Sequence, residues 1–553
     1  MHPIAILLIG VVIVITGVLA FRLHAFLALV LAALVVGSLT PQSAIEGYWI
    51  KKSAIEFSVH EQFIALHLKD ARMGDRYLVL SENTESGRWA TSGTLEVFQV
   101  DPENPPNQSV QVRAPEGTSV SLDVEKNLVI SPGDFDSANK SSKQTVGERV
   151  SAAFGSTCGK IGILIALAAI IGKCLLDSGS ADRIVRSAMK VVGEKGAPTA
   201  FVGSGFLLGI PVFFDTVFYL MIPLAKALRM RTGRDYILFV LCIVAGGSMA
   251  HSLVPPTPGP LFVADELGVD LGLMIIAGTM VGLCSSTAAF FYAHWVNRRH
   301  ELPLRESPDF TLKDVEEIAQ RDEKDLPPLS LSLLPIVLPV VLIAGYTVVN
   351  SFELLAADSS LLPIAKTLGN KNIALAIATA IAMGTLVWHN RTSLRNLSES
   401  IQGALASGGV IILITAGGGA FGGMLQQTGV ASLINDLPNY SPLVIIVLAF
   451  FITTAIRTAQ GSATVAMITA VGVLSGFASG DVLGCHPVYL ALAIGCGSKP
   501  VAWMNDSGFW VICKMSGMTE AEGLRYITPM SILMGIVGLT ATLIGAAFIP
   551  IPY

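Results

Sequence analysis

Along most of this chain the apolar residues come in unbroken runs, not in the spaced pattern of a surface helix or a half-buried strand, and such runs predict membrane-spanning helices. Residues 4–20 and 24–39 are two runs separated by Arg22. They predict a membrane hairpin over residues 1–50 whose turn, by the positive-inside rule, faces the cytoplasm. The next run, residues 161–176, is followed by Arg183, Arg186, Lys190 and Lys195, so it crosses inward. Between these runs, over residues 51–148, the pattern changes. RYLVLS, GTLEVFQV, QSVQVRA, TSVSLDV and KNLVIS alternate apolar and polar positions and are separated by turn-forming stretches such as DPENPPN and APEG. Period-two alternation predicts strands, hence a small β-rich soluble insertion on the extracytoplasmic side, with residues 137–144 as a flexible return linker. Its polar residues show no convergent spacing, which favours a docking or folding module over a ligand sensor.

Several apolar runs are broken by polar or helix-breaking residues. HSLVPPTPGP, residues 251–260, places four prolines and a glycine inside a membrane-grade run. Proline removes a backbone donor, and at bilayer depth a broken backbone is tolerated only inside protein or beside a polar cavity. This predicts the discontinuous helix of a transporter site. Residues 197–225 are apolar with basic flanks at both ends. A single crossing cannot have both ends inside, so a re-entrant hairpin is predicted, with arms of about 12 to 14 residues meeting at Gly209-Ile210-Pro211. Asp215 falls near its tip, where poor hydration is expected. A shift of 250 positions pairs Gly172 with Gly422, Leu175 with Leu425, Gly179 with Gly429, Gly247 with Gly497 and Ser248 with Ser498. The second half therefore repeats the first, and the reversed basic flanks make the repeat inverted. The counterpart hairpin is residues 442–475, centred on IRTAQGSAT, and the counterpart break is GCGSKPVAWMNDSG, residues 495–508. The domain plan is a membrane hairpin at 1–50, the insertion at 51–148, a first transport repeat at 149–296, a cytoplasmic linker at 297–330, scaffold helices at 331–398 and a second, inverted repeat at 399–553.

Composition narrows the function. The chain has 553 residues, 52% hydrophobic and 14% charged, with mean hydropathy +0.63 and net charge −5. Charge content that low in so long a chain means an all-α polytopic membrane protein apart from the insertion, and nothing basic suggests nucleic acid. Seven cysteines without a CxxC offer no metal or disulfide framework, and no cofactor motif is present. A membrane enzyme would need paired carboxylates at metal spacing or a nucleophile with its base, and a sensor with signalling output would need a further domain; neither is found.

The charged residues inside the apolar runs carry the candidate chemistry. An arginine at bilayer centre costs about 2.5 to 3.5 kcal/mol unless an anion or carboxylate meets it, so Arg457 is the first candidate for an anionic substrate ligand. The competing reading is an ion pair with Asp215 or Asp506 that locks the fold. Gln460 and Ser462 share its segment. In the second break Lys499, Asn505 and Asp506 join the substrate-binding set, with Lys499 as a snorkelling residue in the competing reading. Half-helix N-termini suit a carboxylate, and freed carbonyls and hydroxyls suit polyols, so the constellation asks for an anionic, hydroxyl-rich solute. Asp215 is the candidate proton carrier, with His251 as the alternative.

Taken together, HSLVPPTPGP, the FFD at residues 213–215, AGGGAF at 416–421, IRTAQGSATVAMITA and NDSGFW resemble the gluconate permease family of proton symporters, within the wider ion-transporter superfamily. The resemblance implies uptake of gluconate or a related sugar acid driven by protons, an elevator-like motion, a homodimer and a place in the lipid bilayer of the cell inner membrane. Three positions depart from the family pattern. Thr257, a substrate-binding candidate, stands where histidine is more frequent, Asp215 where glutamate is frequent, and Ala502-Trp503 where a Ser-His pair is often seen. These leave open another small carboxylate as solute, sodium as coupling ion, and a sensing role for the insertion.

Overall fold

The computed structural model describes residues 2–55, 57–59, 64–68, 73–83, 88–100, 108–113, 127–305, 325–355, 359–390, 394–429, 441–475, 483–504, 506–549 and 551. The chain forms two compact units, one of residues 1–13, 31–153 and 423–436, the other of 14–30, 154–422 and 437–553.

The chain begins in α1 (Pro3–Leu19) and α2 (Ala25–Leu39), whose connecting turn holds Arg22 at φ 52°. Helix α3 (Gln42–Ser53) is bent by 102° from α2. An antiparallel sheet follows, with β1 (Phe57–Val59), β2 (Ile64–Leu68), β3 (Arg76–Asn83), β4 (Arg88–Val100), β5 (Gln108–Arg113) and β6 (Asn127–Ile130) in the order β1-β2-β5-β4-β3-β6. RYLVLS, GTLEVFQV, QSVQVR and NLVI are thus strands as their alternation requires; TSVSLDV lies outside the described residues. Alternation sends Val79 and Val129 to one apolar cluster and Leu80 and Ile130 to another, the latter sharing Ile50 of α3 and Ala138 of α4 (Pro132–Ser142). Helix α4 occupies most of the stretch expected to be a flexible linker. Ser131 caps it by accepting from the Asp134 amide, and Pro132 sits in its first turn, two start signals that outweigh the polar composition. Arg149, 4% exposed, donates to Gln427 Oε1 at 2.6 Å and to the Gly37 carbonyl at 2.9 Å, a cation placed where helix carbonyls are left unpaired.

The second unit carries the repeat. Its first half runs through α5 (Val146–Asp177), α6 (Ser180–Val192), α7 (Ala197–Leu208), α8 (Phe214–Thr232), α9 (Tyr236–Leu253), α10 (Pro258–Glu266) and α11 (Leu271–Asn297). Helices α12 (Leu329–Ser351), α13 (Leu361–Leu368) and α14 (Lys371–Asn390) intervene. The second half runs through α15 (Leu394–Gln426), α16 (Pro442–Gln460), α17 (Ala463–Leu474), α18 (Pro487–Gly497), α19 (Ser507–Ser516) and α20 (Glu520–Phe548), the last opened by a Thr519/Glu522 capping box. Shifted by 250, the first residues of α8, α9, α10 and α11 fall within one residue of the starts of α17, α18, α19 and α20. The repeat is therefore one of elements as well as of letters.

All four expected breaks are present: α7 stops at Leu208, α9 at Leu253, α16 at Gln460 and α18 at Gly497. The hairpin arms are unequal, however. Helices α7 and α17 have 12 residues each while α8 and α16 have 19, so each hairpin joins a short arm to one of spanning length. Pro223 lies inside α8 without ending it. Close backbone approach holds the short arm in place: a Cβ on Gly246 of α9 would collide with the Val202 carbonyl of α7. Among the described residues eight helices are long and apolar enough to cross a membrane, counting α9 with α10 as one broken span, or nine if α2 and α3 are also taken together.

Candidate functional site

The tip of the second hairpin turns at Gly461, whose φ of 84° is open to glycine without strain, and Ser462 caps α17 by accepting from the Val465 amide at 3.4 Å. This places Arg457 in the last turn of α16, 4% exposed. Its Nε donates to the Ser498 carbonyl at 3.0 Å, Nη1 to the Gly461 carbonyl, and Nη2 to the Asp506 carboxylate. Asp506 also caps α19, its Oδ1 accepting from the Gly508 amide at 2.9 Å. One arginine therefore ties the hairpin tip to both ends of the second break.

Lys499, 7% exposed, reaches the first half of the repeat. Its Nζ donates to the Ser248 carbonyl at 2.7 Å and to Ser248 Oγ at 3.0 Å. Ser248 and Ser498 are equivalent under the shift of 250, and each of their carbonyls accepts from a cation. Beyond Lys499 the chain is strained at Val501, a β-branched residue at φ 59°. Two hydroxyls of α20 hold the next residue: Thr528 donates to the Ala502 carbonyl at 2.5 Å, and Ser531 accepts from the Ala502 amide at 3.1 Å.

These groups surround a cavity of about 360 Å³, within the range usual for small-molecule sites. Asp215, His251, Arg457, Ser462, Lys499 and Asp506 all line it, so six of the nine residues proposed from sequence share one space. Asp215, in the first turn of α8, lines this cavity at the tip of the first hairpin. Asp215 and Asp506 converge beside Gly508: oxygens of the two lie 3.6 Å and 3.4 Å from where a Cβ on that glycine would sit. The His251 ring stands edge-on to Phe213 at 6.1 Å, and its Nδ1 is buried without a hydrogen-bond partner among the described residues.

Two candidates stand elsewhere. Thr257 is 2% exposed, donates to the Val254 carbonyl at 2.6 Å and does not line the cavity. Gln460 is buried just behind the tip, its amide atoms unpartnered among the described residues, and is also absent from the cavity wall. Asn505 lies outside the described residues. The cavity in turn includes Phe213, Ser248, Ser407 and Ser531, which sequence reasoning passes over. Ser248 has a signal in its register with Ser498; Ser407 and Ser531 are single hydroxyls in long helices and have none.

The solved YdaH transporter of Alcanivorax borkumensis, noted for an unusual topology, superposes with a TM-score of 0.53 over 78% of this chain and 93% of that one, at 14% identity, which shows a shared fold. The gluconate permease of Pseudomonas aeruginosa is 32% identical over 395 residues, 71% of this chain and 85% of that protein. The inner membrane permease YgbN of Escherichia coli is 31% identical over 404 residues, 72% of this chain and 88% of that protein. A family model described as GntP family permease matches residues 138–548, starting after the sheet and leaving the N-terminal hairpin outside it. With its paired breaks, its charged cavity and these matches, this multi-pass membrane chain belongs to the GntP permease family.

Proposed function

We propose that the chain imports gluconate or a related sugar acid across the inner membrane by proton symport. The observation that carries the proposal is the cavity's charge inventory: Arg457 and Lys499 against Asp215 and Asp506, with hydroxyls of Thr216, Ser407, Ser462 and Ser531 in the same wall. Two cations and two carboxylates balance. A solute carboxylate adds one negative charge to a space of low dielectric, and a proton taken by Asp215 restores the balance; this is the physical basis for coupling. Lys499 has used two of its three donors and Arg457 retains N–H groups beyond those bound to protein, so both can turn toward a carboxylate. The hydroxyls suit a polyol chain. The gluconate permeases among the relatives support this solute class.

The same proposal assigns residues 149–296 and 399–553 as the transport repeats, 297–330 as a cytoplasmic linker, 331–398 as scaffold, 51–148 as an extracytoplasmic accessory and the protein as a homodimer. The test is uptake of labelled gluconate into proteoliposomes under separately imposed pH and sodium gradients. Accumulation driven by the pH gradient alone is expected. Accumulation that follows sodium and ignores pH overturns the coupling, and binding of dicarboxylates with no binding of sugar acids overturns the solute class.

A further inference from the structure

A second cavity, of about 190 Å³, adjoins the first, and Phe213, Thr216 and Ser407 line both. Its other wall comes from α5 at Gly172 and Lys173 and from α15 at Gly403 and Ala404. Lys173 is the only charged side chain among its described lining residues. Its Nζ bonds Asp177 Oδ1 at 2.7 Å, and Asp177 Oδ2 accepts from Ser400 Oγ at 2.7 Å, so the ammonium is held in place while two of its donors stay available. The Lys173 side chain is 40% exposed, so it reaches from the cavity wall to solvent. Its side of the membrane follows from charge: α5 ends at Asp177 and is followed by Arg183, Arg186, Lys190 and Lys195, and α15 is preceded by Arg391. Both ends are cytoplasmic by the positive-inside rule.

We infer that this smaller cavity is the cytoplasmic passage of the solute and that Lys173 is a second carboxylate contact within it, outside the main cavity. The inference rests on the transport reading above. On α15 the wall has room, since a Cβ on Gly403 would meet nothing within 4 Å. Phe213, packed edge-on to His251, stands at the junction of the two spaces. A half-exposed ion pair is weak, so a passing carboxylate can replace Asp177 on the lysine at little cost. Such a contact acts on the rate of passage and is screened by salt.

The test uses the full chain in liposomes with Ala404→Cys as a reporter, applied in otherwise cysteine-free protein. With Lys173 present, an anionic sulfonate thiol reagent added from the cytoplasmic side is expected to modify the introduced thiol about threefold or more faster than after Lys173→Met, and a cationic reagent of equal size slower. Modification is expected to block gluconate exchange, and Lys173→Met is expected to slow exchange about fivefold at low salt and less at high salt, with Lys173→Arg restoring it. Reagent rates indifferent to Lys173 overturn the inference whatever the solute proves to be. Absence of gluconate binding to the wild type overturns the transport reading instead, and the reagent rates still decide whether the passage selects anions.

Discussion

The two broken segments, residues 254–257 and 498–506, hold equivalent places in a repeated fold and differ in almost everything else. The first is sealed: Val254, Pro255, Pro256 and Thr257 are all buried, and its side-chain bond, Thr257 to Val254, stays within the segment. The second opens on the cavity, carries Lys499 and Asp506, contains a strained valine and is held from three directions by Arg457, Ser248 and α20. Duplication supplied two interruptions at matching positions, and local sequence put charge into one of them. Lys499 links the charged break, through Ser248, to α9, the helix that ends at the proline-rich break.

The comparison is broken most severely at Arg457. Arg457→Ala leaves the part-buried Asp506 without its cation and removes donors from two carbonyls, so a loss of stability of up to about 3 kcal/mol is expected, together with loss of anion binding by more than about 100-fold. Arg457→Lys is expected to rescue poorly because one ammonium cannot reach three acceptors in different directions. Asp506→Asn separates the two effects in thermal-shift and equilibrium-binding measurements: asparagine still caps α19 but takes no charge. If affinity for the anion survives in Asp506→Asn and is lost in Arg457→Ala, Arg457 is a ligand; if Arg457→Ala binds with wild-type affinity, it is a fold lock only.

Next comes the first-half hairpin. Asp215→Asn is expected to abolish accumulation against a gradient while solute exchange between the two sides continues, measured in the same proteoliposomes. His251→Gln is expected to keep both, and the opposite pattern moves the proton to the histidine. Lys499→Met should weaken gluconate binding about tenfold, the scale of one charge-assisted contact, and is expected to leave the Arg457 cluster folded. The smallest effect belongs to the sealed break: Thr257→Val removes one local hydrogen bond, costing about 1 kcal/mol of stability, with solute affinity changed less than about twofold. A large affinity loss there would make the proline segment part of the site and erase the contrast.

Much of this molecule is legible from its letters. Run length, basic flanks, period-two alternation and the prolines of residues 251–260 are local signals, and they place the four breaks and the sheet where the structure has them. The register of 250 carries further, since a duplicated fold repeats its turns where it repeats its glycines. Helix α4 escapes a reading by composition, because a polar stretch looks like a linker until the Ser131-Pro132 start is weighed.

What the sequence does not contain is which distant side chains share a space. Arg457 could face Asp215 or Asp506, and only packing brings it to Asp506 and leaves Asp215 open to the cavity. Thr257 sits in the most conspicuous motif of the chain and turns inward to a carbonyl of its own segment, whereas Ser407 and Lys173, unremarkable in their helices, line the two cavities. Periodicity and composition act over a few residues and so determine elements and their ends. Partners some 40 to 250 residues apart, such as Arg457 with Ser498 or Lys499 with Ser248, are decided by how helices pack once formed, through close backbone approach at glycines such as Gly246, for which no local pattern codes.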